Sequence, residues 1–162
     1  MNLTKRPPRS AREHFAGVVG LGRTTDKARA FLAGTLGDYH FGADCPHDRA
    51  VFHVLAIDRE QFLAQVVQAD DAALETWLHE RYISKLPPAT VDEWNTSFLK
   101  IGPGFVMIML PPDHPLHTLT DEAYEPYRAR IAPDRPDIRT FVDLLDFEDG
   151  RIVDHFTTRS AR

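Results

Sequence analysis

A chain of 162 residues is long enough for one domain with a sizeable core, and its 43% apolar and 27% charged residues set it apart from disordered chains. A formal charge of -5, with Lys and Arg scattered rather than blocked, gives no general attraction to nucleic acid, and a single Cys excludes an internal disulfide. No apolar run approaches the roughly 20 residues of a membrane span and no signal core opens the chain, so a cytoplasmic protein without a membrane partner is expected.

In chain order, residues 1–9 are basic and proline-bearing and read as an extended arm over a single domain spanning 1–162. Ser10 and Glu13 have capping-box spacing, which predicts a short first helix with Phe15, Val18 and Val19 on its apolar side. Gly17, Gly20 and Gly22 end it as turn glycines. Their GxxGxG order differs from a dinucleotide loop, and no cofactor is expected. Thr25 then caps the next helix, with Asp26 in its first turn, Ala28, Phe31 and Leu32 toward the core, and Gly34 as the stop. Cys45 precedes Pro46, as at a helix start, and Val51, Phe52, Val54 and Leu55 follow.

Asp58 with Gln61 makes a second capping box, flanked by Ile57 and Phe62 in staple positions, and Leu63, Val66 and Val67 continue that stripe. Asp70 or Asp71 caps the following helix, which carries Leu74, Trp77, Leu78 and Tyr82. Thr90 with Glu93 forms a third box before Val91, Trp94, Phe98 and Leu99. Residues 102–119 break the rhythm as an irregular apolar and proline-rich insertion: Phe105 to Leu110 is a continuous apolar run suited to a strand or an interface, and His114 and His117 lie in the loop after it. Tyr127 to Ile131 reads as helical, and Asp137 as the cap of a helix bearing Phe141, Leu144 and Leu145. Residues 138–156 fit that helix or a hairpin turning at Asp149-Gly150. The expected class is mainly α, with about six to eight helices and at most one short strand or hairpin in the C-terminal half. The core is expected at Phe31, Leu32, Phe52, Phe62, Leu63, Val66, Leu74, Trp77, Leu78, Trp94 and Phe98.

The stretch from Arg23 to Asp48 gathers the chemically versatile side chains. Cys45 offers a nucleophile, His40 a base and Lys27 a cation, so these three are the catalytic candidates. Asp26, Arg29, Tyr39 and Asp48 are candidate ligand-binding groups, with Trp94 and Asn95 as a pocket floor, and a small anionic molecule is the ligand they suit. The bland alternative is a solvated helix with internal ion pairs and a packed Cys45. His40, Cys45, His47 and His53 match no established zinc spacing, so no metal is assigned. Asp143, Asp146, Glu148 and Asp149 read as solvated carboxylates. The alternative function class is an interaction or regulatory module that uses the Phe105–Leu110 run, with a homodimer as one form of it.

Asp26-Lys27-x-Arg29, Gly34-Thr35-x-Gly37-x-Tyr39, Cys45-Pro46-x-Asp48, Ile57-Asp58 and Trp94-Asn95, in this order over most of the chain, resemble a bacterial family of small proteins known as domain of unknown function five thousand and sixty-nine. The resemblance implies a family and no activity. The GPGFVMIML run with its proline-rich sequel, and His47 and His53, depart from that pattern.

Overall fold

A computed structural model gives the fold, and the structure describes residues 1–100 and 128–151. The Phe105–Leu110 run, His114, His117 and the second half of the proposed C-terminal hairpin lie outside the described residues. The chain is mainly helical, as its capping signals predict, with one small antiparallel hairpin.

That hairpin stands where the first helix was expected. Strands β1 (His14–Phe15) and β2 (Val18–Val19) pair antiparallel, with His14 opposite Val19 and Phe15 opposite Val18. The two turn residues between them, Ala16 and Gly17, both have positive φ, at 50° and 81°, the geometry that matches the twist of paired strands. Half of the Ser10–Glu13 box forms, since the Ser10 amide donates to the Glu13 carboxylate at 2.9 Å. The Ser10 hydroxyl donates instead to Asp146 at 2.6 Å, so no helix is capped.

Helix α1 (Leu21–Leu32) starts at Gly20 rather than at Thr25, whose hydroxyl donates to the Leu21 carbonyl one turn back. Gly20 turns the chain with φ of 80°. The inner face of α1 is polar: Arg23, Thr24, Thr25, Asp26 and Lys27 are buried alongside Ala28 and Ala30. This displaces the apolar residues expected inside, leaving Phe31 at 45% and Leu32 at 44% exposure.

Helices α2 (Pro46–Val54), α3 (Arg59–Gln68) and α4 (Asp71–Arg81) follow their start signals. Pro46 opens α2, and the Asp58 and Asp70 carboxylates accept from the Gln61 and Ala73 amides. The Asp58 box is one-sided, because the Gln61 side chain accepts from Arg81 and from the Tyr82 hydroxyl. Ile57 and Phe62 are both buried, as a staple requires. Helix α5 (Pro88–Lys100) begins two residues before the cap expected at Thr90, with proline at its first position. Residues 128–131 are helical. Helix α6 (Phe141–Glu148) is capped by a reciprocal Thr140–Asp143 box rather than by Asp137, which pairs with Arg135 at 2.7 Å. Gly150 follows it at φ of 71°.

One apolar core joins Phe15, Val18 and Val19 of the hairpin to Ala28, Phe52, Phe62, Val66, Leu74, Leu78, Trp94, Phe98 and Val142. Leu63 and Trp77 pack against its edge, partly exposed. Phe62 is fully buried against Phe52, their ring centroids 5.4 Å apart. Phe62→Ala is expected to cost roughly 3–5 kcal/mol in chemical denaturation, as transfer loss plus a cavity. A cost under about 1 kcal/mol would show that the site collapses freely or is not core.

Candidate functional site

Asp48 is the hub of the Arg23–Asp48 stretch. It lies in the first turn of α2 with its side chain completely buried. One carboxylate oxygen accepts from the Thr24 hydroxyl at 2.8 Å, from the Lys27 ammonium at 2.8 Å and from His47 Nδ1 at 3.2 Å. The other accepts from the Gly42 amide at 3.0 Å. Donors from α1, from the turn at Gly42–Asp44 and from α2 therefore meet on one group, and this pins the start of α2 to the middle of α1. Burial by itself raises the Asp48 carboxyl, but the Lys27 charge and the His47 hydrogen bond outweigh it and hold the group well below the usual carboxylate range.

Lys27 is buried to the same degree, and its ammonium also donates to Cys45 Sγ at 3.0 Å. Cys45 is half-buried at the cap position of α2 and makes no side-chain cap bond. One cation thus touches both the Asp48 carboxylate and the thiol sulfur. The backbone donors at the α2 start add positive potential beside the same atom.

His47 is wholly buried, and desolvation lowers its imidazole to about 4, so it is neutral at pH 7. Because Asp48 is ionised, the shared hydrogen bond requires the proton on Nδ1, which leaves Nε2 a bare lone pair. That Nε2 is buried with no hydrogen-bond partner. It faces Gly20, where a Cβ would lie 2.5 Å away, so this glycine meets two needs, the left-handed φ and the imidazole. Phe98 covers the imidazole at 5.4 Å and stacks on Trp94 at 4.9 Å. Trp94 Nε1 donates to the Val19 carbonyl, and Asn95 both accepts from the Val19 amide and donates to the Gly17 carbonyl. Two α5 side chains therefore pair with the backbone edge that a third strand would otherwise cover.

The remaining candidates fall elsewhere. Asp26 accepts from the Arg9 guanidinium and amide, and Arg29 pairs with Asp71 at 2.5 Å; both line an open polar cavity of about 430 Å³ together with Arg6, Glu13 and Arg151. Tyr39 donates its hydroxyl to Asp149 at 2.8 Å, and burial together with that bond pushes the phenol up to about 12. His40 is exposed and makes no hydrogen bond or ion pair among the described residues, so nothing there brings it to Cys45 as a base. His53 is exposed too. Of the carboxylates expected to be solvated, Glu148 is exposed, but the other three are buried ion-pair partners: Asp143 and Asp146 hold Arg12, and Asp149 holds Arg23 at 2.5 Å and also Arg151.

Cys45, His47 and Asp48 bring three ligand-type atoms within 4.8 Å of one another, a grouping that sequence spacing did not suggest. The Lys27 ammonium already lies against two of those residues, so a divalent ion bridging Sγ and the carboxylate would have to displace a buried cation. The tripled contact on Asp48 also accounts for much of the Lys27 and Cys45-Pro46-x-Asp48 pattern without any ligand.

The family model described as Domain of unknown function (DUF5069) matches residues 5–151. The chain belongs to that family. No curated protein matches it. In this DUF5069 chain, of the residues that carry the resemblance, Lys27, Cys45 and Asp48 meet at the α1–α2 junction, Asp26 pairs with Arg9 apart from them, and Trp94 and Asn95 clamp the hairpin. Among the described residues no helix is long and apolar enough to cross a membrane.

Proposed function

We propose that this chain is a small-molecule protein that holds an anionic ligand at Cys45, with Lys27 as the cation and Asp48 as the group that positions Lys27. The observation that carries the reading is the Lys27 ammonium 3.0 Å from a half-buried thiol at the uncapped start of α2. A positive side chain reaches that sulfur beside the start of a helix, an arrangement that favours a carboxylate or phosphate oxygen and equally suits a thiol that attacks an electrophilic carbon. The reduced thiol fits a cytoplasmic setting. The partner-binding alternative and the homodimer rest on the Phe105–Leu110 run, which lies outside the described residues.

Cys45 is the sole cysteine, so alkylation by iodoacetamide reads the site directly. In a panel of small anionic metabolites, at least one is expected to raise the melting temperature and to slow alkylation of Cys45. In a folded Lys27→Arg variant, which keeps the charge and changes its shape, that protection should weaken. Compounds that stabilise the protein without slowing alkylation, or a panel with no effect on either readout, would overturn the proposal.

A further inference from the structure

Arg9, Arg12, Arg23, Arg29, Arg135 and Arg151 each hold a carboxylate. Arg59, like Arg49, pairs with no carboxylate among the described residues, but Arg49 donates to the Ala43 carbonyl and Arg59 has no hydrogen-bond partner there at all. Among the described residues its Nε is buried without a hydrogen-bond partner, while its terminal nitrogens, equally without a partner there, are not fully buried. The guanidinium carbon lies 5.4 Å from the Phe41 ring centroid and 5.7 Å from that of Phe31. Those two rings are 5.4 Å apart, and Phe31 keeps 45% of its surface exposed. Gly42 closes the remaining side, since a Cβ there would come within 2.6 Å of Nε.

Helix stability does not explain this placement. Arg59 is the first residue of α3, the end of the helix dipole that repels a cation. Its neighbours do not neutralise it: the Asp58 carboxylate caps the Gln61 amide, and Glu60 forms no ion pair with it. Two aromatic faces hold the guanidinium in one orientation with its outer fork open. A guanidinium fork packed on two rings, unpaired among the described residues and beside an exposed ring, is complementary to a planar or tetrahedral oxyanion joined to an apolar body.

We propose that Arg59 is the recognition residue of an anion site that takes a small molecule bearing a carboxylate or phosphate, with its apolar portion against Phe31. The site stands apart from the Cys45 reading, because no atom of Cys45 or Lys27 takes part. The experiment is a titration of nitrogen-15-labelled protein with inorganic phosphate and with benzoate at constant ionic strength, following the Arg59 Nε–H resonance, which is assigned by its loss in Arg59→Lys. A saturable shift with either anion, absent with matched chloride, is expected. A response to phosphate alone or to benzoate alone names the oxyanion. By calorimetry, binding should vanish in Arg59→Gln and persist in Arg49→Gln, which removes an arginine that donates to the Ala43 carbonyl at the surface. If Arg59→Gln does not fold, Arg59→Lys decides: it keeps the charge without the fork, and binding should weaken roughly tenfold, the loss of one charge-assisted hydrogen bond. Equal shifts with chloride, no shift with either anion, or native affinity in Arg59→Gln or Arg59→Lys would overturn the proposal.

Discussion

Lys27→Met is expected to lower stability by roughly 3–5 kcal/mol, because it leaves the Asp48 carboxylate charged at a site that water does not reach. Thr24, His47 and Gly42 still donate to Asp48 in this variant, but none carries a full positive charge at neutral pH. Against a total stability of about 5–15 kcal/mol for a domain of this kind, the loss is a large fraction. Asp48→Asn should be costly for the mirror reason, since the Lys27 ammonium then lacks its anion. The Lys27→Met, Asp48→Asn double variant should lose clearly less than the sum of the two single changes, because neither charge remains to be stranded. Guanidinium denaturation of the four proteins checks this. Additive losses, or a Lys27→Met protein within about 1 kcal/mol of native, would show that the pair is not the hub assigned to it.

Acid should weaken the fold well before carboxylates begin to titrate. The folded-state value of His47 is about 4, below the ordinary 6.5. Below pH 6.5 the unfolded chain gains a proton that the native protein does not take up until about pH 4. Stability attributable to His47 is therefore fully present above pH 6.5, falls as pH drops from 6.5 toward 4, and is flat below that. Over this window the loss amounts to roughly 3 kcal/mol. Asp48 acts lower and adds to it: its native value is depressed, so its contribution is complete above the ordinary carboxylate value of 3.8 and fades as pH falls below it. Denaturation midpoints measured at pH 7.0 and 4.5 should differ strongly in the native protein and much less in His47→Gln. Equal pH sensitivity in the two proteins would assign the acid lability to other groups.

The parts of the fold legible in sequence are those governed by local physics. Asp58, Asp70 and Pro46 announce helix starts through groups one to three residues away, and each helix starts there. The same reasoning overreached at Ser10, where the hydroxyl bonds to Asp146, 136 residues later. It missed the Thr140–Asp143 box, whose spacing was readable, because Asp137 offered a competing cap and the Asp137 side chain is taken by Arg135. Phe31 and Leu32 were misplaced for a different reason. A stripe of apolar side chains predicts the buried face only while polar neighbours stay in solvent, and α1 buries five polar residues instead.

The candidate site was partly legible in the same sense. Lys27, Cys45 and Asp48 were singled out by residue type and by the helix start, and they do meet in space. Asp26, Arg29, Tyr39 and His40 were drawn into the same cluster by sequence proximity alone, yet α1 turns Asp26 and Arg29 toward Arg9 and Asp71, and Tyr39 and His40 lie in the loop beyond α1, so they part company. His47 was read as a departure from the family pattern and as one of four ligand-type residues without a zinc spacing, while its burial against Phe98 and Gly20 makes it part of the hub. Arg59 carried no sequence signal, because its interest lies in partners that it lacks.

What the sequence by itself determined is the helical class and the starts of α2, α3 and α4, since capping, proline placement and apolar period act over a few residues and need no knowledge of distant groups. Only the tertiary structure decided which charges are buried together. A carboxylate such as Asp48 or Asp149 is tolerated inside only when donors from separate elements converge on it, and that convergence depends on how α1, α2 and α6 pack rather than on any spacing along the chain.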